Sequence, residues 1–263
     1  MASSMINALS GARSLLFVPG NRAERFEKAL ASGADAIVLD LEDAVPLDEK
    51  AGAREAIARL SRQIAQAPVP VLIRINEMES EAGREDLRWL SSQHAPHGVM
   101  VPKAYAPTLL KALHTQHPQF PVIALVETAQ GLANVNEIAA VPGVLRLAVG
   151  HIDFMADLGL QCSEDEPELA PLRFGVALAS RLNGLASPID GVTISFRDDA
   201  MLARDARRML RYGFGGKLCI HPRQIAVLHQ AMQPTDEEVS WAERVIEANA
   251  DARGRAVQLG SSS

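Results

Sequence analysis

Eight short apolar runs, spread along the whole chain, constrain the fold more than any other feature of the sequence. Each run is four to seven residues long and almost continuously hydrophobic, with many β-branched side chains. Such runs are typical of strands that are covered on both faces in a parallel sheet. They lie at positions 14–18, 36–40, 69–75, 98–101, 121–126, 144–149, 191–195 and 217–220.

The segments between the runs carry helix signals. A capping box formed by Asn21 and Glu24 opens the first of them, and Thr235 with Glu238 opens the last. A strand followed by a helix eight times over predicts a (β/α)8 TIM barrel, with a doubly wound open sheet as the alternative. At 263 residues the chain has the size of one such barrel, so we expect a single domain.

The expected boundaries follow from where the pattern starts and stops. Residues 13–250 should form the barrel and its C-terminal helix. Residues 1–12 should be a flexible N-terminus, and residues 251–263, which end in three serines, a disordered tail.

Composition excludes several classes of protein. The net charge is −6 and Lys and Arg form no block, which argues against a nucleic-acid-binding surface. No stretch approaches 18 apolar residues and the N-terminus lacks the pattern of a signal peptide, so we expect neither a membrane span nor secretion. Two cysteines fit a reducing compartment, and the predicted location is the cytoplasm.

Charged side chains follow several of the apolar runs at the point where each predicted strand ends. In a (β/α)8 barrel the carboxyl ends of the strands form the active-site mouth. A single acid after a strand is usually a helix cap or a solvated loop charge, but a converging set of acids requires a cation or a bound substrate. The residues at these ends are Asp40 at the end of run 2 with Glu42 and Asp43 after it, Arg74 in run 3, Glu127 after run 5, and Gly150 and Asp153 after run 6.

Two of these acids suit a metal. Glu127 and Asp153 follow neighbouring strands and would offer oxygen ligands only, which favours Mg²⁺ or Mn²⁺ over Zn²⁺. Arg74 can bind a substrate carboxylate or carbonyl through its planar fork. It can also pair with Asp40 or Glu42, and both roles can hold at once.

Several motifs in a fixed order resemble the HpcH/HpaI aldolase/citrate lyase family, and in particular its citrate lyase β-subunit-like (CitE-like) proteins. The resemblance covers roughly residues 13–250. The matching segments are 13–21, 39–45, 73–76, 101–103, 125–131, 150–159 and 213–222.

The resemblance implies a barrel that is usually trimeric or hexameric, with Mg²⁺ at Glu127 and Asp153. It also implies that Arg74 contacts the 2-oxo acid, and that the three acids around the end of run 2 match the family's acidic motif beside the metal and its waters. Glu42 and Gly150 are further candidates for binding the substrate. Family members cleave or form the bond between an acyl thioester and a 2-oxo acid. The usual substrates are citryl, malyl and citramalyl thioesters of coenzyme A or an acyl carrier, which release oxaloacetate, glyoxylate or pyruvate.

This reaction needs a base for the substrate hydroxyl and a cation for the developing negative oxygen. Arg74 can supply the cation, and either Asp40 or Asp43, acting through water, can supply the base. The sequence does not choose between these two catalytic candidates. Asp43 stands where the pyruvate-class aldolases of this superfamily have a histidine, which favours the citrate-lyase branch.

Longer relatives continue into a lid whose acid completes a neighbouring subunit's site. Residues 255–260 reach the start of that region and serines follow, so we expect the lid segment to be absent. Two alternatives to the thioester lyase therefore stay open. One is an aldolase acting on free hydroxy-oxo acids, and the other is a non-catalytic barrel subunit of a lyase complex.

Overall fold

The computed structural model describes residues 2–251 and shows eight parallel strands closed into a barrel in sequence order. The (β/α)8 prediction is therefore confirmed, and the open sheet is excluded. The strands are β1 Ser14–Pro19, β2 Ala36–Asp40, β3 Val71–Arg74, β4 Gly98–Val101, β5 Val122–Val126, β6 Val144–Val149, β7 Ile189–Asp190 and β8 Gly216–Cys219.

Helices surround the barrel and separate its strands. They are α1 Ala2–Gly11, α2 Phe26–Leu30, α3 Lys50–Arg59, α4 Ser61–Ala65, α5 Glu81–Leu90, α6 Pro107–Gln116, α7 Ala129–Ala133, α8 Val135–Ala139, α9 His151–Leu158, α10 Ala170–Leu182, α11 Asp199–Arg211, α12 Arg223–Ala231 and α13 Asp236–Asp251. Across the described residues, none of the helices is long and apolar enough to cross a membrane.

The strands are apolar on both faces because they separate two hydrophobic clusters. One cluster fills the barrel and includes Leu15, Val38, Met100, Ile123 and Leu218. The other lies between the strands and the outer helices. This division explains why the runs are continuous rather than alternating in hydrophobicity.

The N-terminal segment differs from its prediction. Residues 1–12 were expected to be flexible, but α1 forms there and Leu9 is completely buried in the cluster inside the barrel. The buried guanidinium of Arg146 donates to Leu9 O, in the last turn of the helix (3.1 Å), and to Ala12 O, just after it (2.7 Å). The segment is thus held as the floor of the barrel.

Strand β7 is also displaced from its prediction. The expected run 191–195 is a loop, and the strand is the two-residue Ile189–Asp190 before it. The apolar side chain of Ile194 is 62% exposed, whereas Asp190 is buried against Arg173 (Nε–Oδ1, 3.1 Å). A buried ion pair therefore occupies the strand, and an exposed apolar residue lies in the loop.

The two capping predictions had opposite outcomes. Thr235 and Glu238 make the reciprocal bonds of a capping box, with Glu238 N–H donating to Thr235 Oγ1 (3.2 Å) and Thr235 N–H to Glu238 Oε2 (2.8 Å). The Asn21 prediction was wrong, because its amide donates to Glu49 (2.6 Å) instead. The tail was predicted for residues 251–263, and Asp251 ends α13. Residues 252–263, on which the rest of the tail and the expected absence of the lid fall, lie outside the described residues.

Candidate active site

A cavity of about 350 Å³ opens at the carboxyl ends of the strands. It brings together nearly all of the site residues that the sequence predicts: Asp40, Asp43, Arg74, Glu127, Gly150 and Asp153 all line it. Glu42 does not line the cavity, but it contacts Arg74 from behind (Oε2–Nη1, 2.8 Å). The convergence expected from the strand ends is therefore observed.

Arg74 is the cation at the centre of this arrangement. It ends β3, and strand register places it beside Asp40 at the end of β2. Its Nε and Nη2 each donate to one oxygen of Asp40 at 2.7 Å, and its guanidinium lies 4.7 Å from the Phe17 ring centre. Burial alone would lower the pKa of Arg74, but hydrogen bonding and charge from Asp40 raise it above its ordinary value. The guanidinium is therefore charged and fixed in direction.

Asp40 has no free acceptor position. Besides Arg74, it accepts the backbone N–H of Glu42 (2.9 Å) and of Ala44 (3.1 Å), and it is 1% exposed. These bonds fold the loop after β2 back toward the barrel axis. Taking up a proton would break several of them, so Asp40 suits a role in holding Arg74 rather than in proton transfer.

Glu42 and Asp43 differ in their surroundings. Glu42 is buried between Arg74 and Lys103, whose Nζ donates to its Oε1 at 3.0 Å. Burial, reinforced by the charge of Asp43, raises the pKa of Glu42 to about 7 although Arg74 and Lys103 act in the opposite direction. The Asp43 side chain is 58% exposed and meets Arg74 at 3.3 Å. Of Asp40, Glu42 and Asp43, only Asp43 both lines the cavity and has open acceptor positions.

Glu127 follows β5 and is not a helix cap. Thr128 caps α7 instead, because its Oγ1 accepts Gly131 N–H at 3.0 Å. Glu127 is 2% exposed, and its Oε1 accepts the backbone N–H of Lys103 at 2.7 Å. Burial, together with the charges of Glu42 and Asp153, raises its pKa to about 8. The Lys103 amide and the charge of Arg74 therefore offset the burial of this carboxylate only in part.

Gly150 makes room for that carboxylate. A β-carbon at position 150 would overlap Glu127 Oε2 and lie 2.6 Å from Glu127 Cβ. Gly150 also precedes α9, whose first turn carries Asp153. The glycine therefore lets strands β5 and β6 bring their two acids to the same side of the cavity.

The donor set fits a small divalent cation. Over residues 2–251 there is no group of three or more His, Cys, Asp and Glu side chains placed to hold a metal ion. Glu127 and Asp153 would thus supply two carboxylates, which suits Mg²⁺ because it retains several waters. A cation here would also offset the burial of the Glu127 charge, which Arg74 balances only in part.

A second cavity adjoins the first and was not predicted from the sequence. It has a volume of about 540 Å³, shares Phe17, Ala44 and Ile220 with the first, and is also lined by Arg25, Lys28 and His221. Burial and the charges of Arg223, Lys28 and Arg197 lower the pKa of His221. Positively charged residues from the segments that follow β1, β7 and β8 lie near this cavity, and their spacing along the chain does not predict it.

Comparison with known proteins agrees with this site. Residues 13–222 match the HpcH/HpaI aldolase/citrate lyase family. The chain is 38% identical over 251 residues to a citrate lyase subunit beta-like protein of Deinococcus radiodurans, covering 92% of this chain and 87% of the relative. It is 34% identical over 252 residues to a (3S)-malyl-CoA thioesterase of Cereibacter sphaeroides, covering 94% and 87%.

A solved structure is similar over the same extent. The protein CitE of Mycobacterium tuberculosis, in complex with magnesium, acetoacetate and coenzyme A, has a TM-score of 0.80 at 33% identity, covering 96% of this chain and 92% of that chain. The resemblance inferred from the sequence motifs is confirmed, and so is the expectation of a lyase-type enzyme. Because the matches extend over the barrel and every strand end that carries the site, the chain belongs to the HpcH/HpaI aldolase/citrate lyase family.

Proposed function

We propose that this chain is a Mg²⁺-dependent carbon–carbon lyase acting on a citryl-, malyl- or citramalyl-type thioester of coenzyme A. It cleaves or forms the bond between the acyl thioester and a 2-oxo acid (oxaloacetate, glyoxylate or pyruvate). One observation carries the proposal: the fixed Arg74 guanidinium and the carboxylate pair Glu127 and Asp153 line the same cavity. The oxygens of a 2-oxo acid can accept hydrogen bonds from the guanidinium, and they can also chelate a metal held by the two carboxylates.

Glu127 and Asp153 would hold the metal, with Mn²⁺ as the alternative ion. When bound, a divalent cation supplies Lewis-acid polarisation of the substrate oxygens. The titratable Glu127 is then kept in its charged form, because the cation offsets the burial that raises its pKa.

Arg74 orients the oxo-acid half of the substrate. Asp40 occupies Nε and one hydrogen of Nη2, which leaves the second Nη2 hydrogen free to donate to the ligand. The contact with Asp43 is long at 3.3 Å, so a substrate carboxylate could replace it. A guanidinium held in advance stabilises the negative oxygen without rearranging during the reaction.

Asp43 is the acid–base group that these contacts favour over Asp40. Its exposed carboxylate can take the hydroxyl proton of the substrate, directly or through one water. The electrons of the broken carbon–carbon bond pass to the thioester enolate, and a proton returned to that carbon completes the acyl thioester. In the direction of synthesis the same steps run backwards.

The second cavity supports coenzyme A as the carrier. Arg25 and Lys28 line it, and Arg197 and Arg223 lie close enough to act on the pKa of His221. Clustered cations on a chain with a net charge of −6 are suited to the phosphates of a nucleotide carrier. The related CitE structure contains coenzyme A, which agrees with this choice.

Thioester hydrolysis is the second candidate, because one relative carries that name. Ser14, His229 and Asp35 cluster in this chain, but Ser14 is fully buried at the amino end of β1, away from the cavity. Its hydroxyl and Asp35 both approach the same nitrogen of His229 (Nε2, 2.9 and 3.4 Å). In a catalytic triad the nucleophile contacts one ring nitrogen of the histidine and the acid contacts the other. This cluster is therefore not a catalytic triad.

One assay separates these functions. Purified protein is incubated with Mg²⁺ and malyl-, citramalyl- or citryl-CoA, while 2-oxo acid is followed with phenylhydrazine and free thiol with Ellman's reagent. We expect 2-oxo acid without free thiol. Free thiol without 2-oxo acid would establish hydrolysis, and cleavage of free hydroxy-oxo acids alone would establish the aldolase alternative. No turnover of any thioester, even with candidate partner subunits added, would favour the non-catalytic subunit.

The oligomeric state remains a prediction. We propose a homo-oligomer, trimeric or hexameric, as the family resemblance implies. Light scattering coupled to gel filtration gives the mass directly, and a mass of 28.3 kDa would contradict it.

A further inference from the structure

Behind the acids that follow β2 lies a second set of buried polar side chains that touch neither cavity. Asp86, in α5, is completely buried on the outer side of the barrel wall. Its Oδ1 accepts Arg54 Nη1 at 2.8 Å. Its Oδ2 accepts both the backbone N–H and the side-chain Nδ2 of Asn76, each at 2.7 Å. All of the strong bonds of this carboxylate are therefore internal.

These bonds continue from the helix layer into the active-site loop. Asn76 lies two residues beyond Arg74, and its Nδ2 also donates to Leu41 O at 2.9 Å. Leu41 stands between Asp40 and Glu42, so the bond acts on the backbone that carries both acids. The path from Asp86 through Asn76 to Leu41 thus connects an outer helix with the loop that surrounds Arg74.

A second donor holds the same loop. Lys50, at the start of α3, donates its Nζ to Leu41 O (2.8 Å) and Glu42 O (3.0 Å). The two carbonyls are therefore fixed from outside the barrel by an amide and an ammonium group.

The loop needs such support because its acids carry like charges. Glu42 and Asp43 both meet Nη1 of Arg74, and the charge of Asp43 helps raise the pKa of Glu42. This repulsion opposes the attraction of both acids to Arg74, so hydrogen bonds that fix the backbone help to keep the two carboxylates in place.

We propose that Asp86 is a positioning residue for the active site, acting through Asn76 on the loop that presents Glu42 and Asp43 to Arg74. This inference rests on the proposed lyase function. Asp86 does not contact the substrate, but the orientation of the Glu42 and Asp43 side chains toward Arg74 depends on it. A displacement of about 1 Å at such a group can lower turnover about 100-fold, so a distant carboxylate can matter for catalysis.

The test compares two neighbouring acids on the same arginine. Asp86→Asn keeps the size of the side chain but replaces one acceptor oxygen with a donor. Glu85→Gln is the matched control, because Glu85 also pairs with Arg54 but makes no bond to Asn76. For each variant, kcat, KM for the thioester and hydrogen–deuterium exchange of the backbone amides of residues 41–45 are measured.

We expect Asp86→Asn to lower kcat about 10- to 100-fold while KM changes less than about threefold. Exchange at the Glu42 and Ala44 amides, which donate to Asp40, should become faster. Glu85→Gln should stay within about twofold of wild type in both measurements. Wild-type kcat and wild-type exchange in Asp86→Asn would overturn the proposal, and so would an equal loss in Glu85→Gln.

Two further outcomes are distinguishable. If Asp86→Asn does not fold, Asn76→Ala breaks the same path from its other end. It should then show the same loss of kcat and faster exchange, and wild-type behaviour would overturn the proposal. If wild type cleaves no thioester but Asp86→Asn still speeds exchange in residues 41–45, the lyase function fails while the positioning of the loop is supported.

Discussion

Gly150 and Glu127 approach so closely that no other amino acid fits at position 150 without moving the carboxylate. A β-carbon there would overlap Glu127 Oε2 and lie 2.6 Å from Glu127 Cβ. Gly150 was predicted to be a substrate-binding residue, and it does line the cavity. The contact with Glu127 adds a reason that needs no substrate: the glycine sets where the proposed metal ligand lies.

Gly150→Ala should therefore weaken Mg²⁺ binding at least about tenfold, since Glu127 must turn away from Asp153. Isothermal titration calorimetry of the protein with MgCl₂ measures this. Gly52→Ala is the matched control, because nothing lies within 4 Å of a β-carbon there and alanine favours the α3 helix. Equal affinity in Gly150→Ala and Gly52→Ala would contradict the proposed role of Glu127.

Glu127 also predicts how stability depends on pH without metal. Burial, with the charges of Glu42 and Asp153, raises its folded-state pKa from 4.5 to about 8. An acid whose pKa is higher when folded destabilises the fold progressively as pH rises between these two values. In buffer with a chelator, Glu127→Gln should thus be more stable than wild type at pH 9, by roughly 2–4 kcal/mol, and about equal to it below pH 4.5.

Thermal melts from pH 4 to pH 9 test this sign. Glu55→Gln, on an exposed surface pair, should follow the wild-type curve. Added Mg²⁺ should raise the wild-type Tm at pH 9 and leave that of Glu127→Gln unchanged. Parallel pH profiles for wild type and Glu127→Gln would show that Glu127 ionises freely.

The two aspartates that the sequence leaves as alternative bases should separate in one experiment. Asp43→Asn should lower kcat about 100-fold with a Tm within about 2 °C of wild type, because its side chain is 58% exposed. Asp40→Asn should lower the free energy of unfolding by about 3 kcal/mol, because the buried Arg74 loses the carboxylate that accepts two of its hydrogen bonds. A lower kcat in Asp40→Asn with unchanged stability would reverse the assignment.

Arg25 and Lys28, which line the second cavity, are predicted to affect KM for the thioester rather than kcat. Lys28→Ala and Arg25→Ala should each raise KM for a coenzyme A thioester about threefold to tenfold, and more at low ionic strength, with little change in kcat. The same acyl group on pantetheine, which lacks the phosphates, should be processed alike by wild type and variants. Lys111→Ala, in α6 on the outer surface, serves as the control.

Strand ends were predictable because the barrel places all of them at one mouth. Glu127 and Asp153 needed only the positions of two apolar runs to be assigned to the same site. The apolar pattern failed at β7, where a buried charged residue, Asp190, occupies the strand and the exposed Ile194 does not. An apolar pattern does not reveal a buried charged residue that has a partner of opposite charge. Arg173 is that partner for Asp190.

The contacts that decide roles within the site were beyond the sequence. The bond from Lys103 N–H to Glu127 depends on a left-handed backbone at Lys103 (φ 45°), which a non-glycine residue seldom adopts. The choice between Asp40 and Asp43 depends on counting filled acceptor positions, and this requires three-dimensional distances. The link from Asp86 to Leu41 joins residues 45 positions apart in numbering through a third, Asn76, with no motif in common.

The floor of the barrel bears on how the protein should be produced. Arg146 is 1% exposed and donates to Leu9 O, Ala12 O and Ser187 O, and burial lowers its pKa to about 10. Deleting residues 1–11 would remove one of these acceptors together with the buried Leu9, and would open a charged side chain inside the barrel to water. An N-terminal affinity tag is therefore best joined through a spacer that leaves α1 whole, and trimming this end to aid crystallisation would weaken the barrel itself.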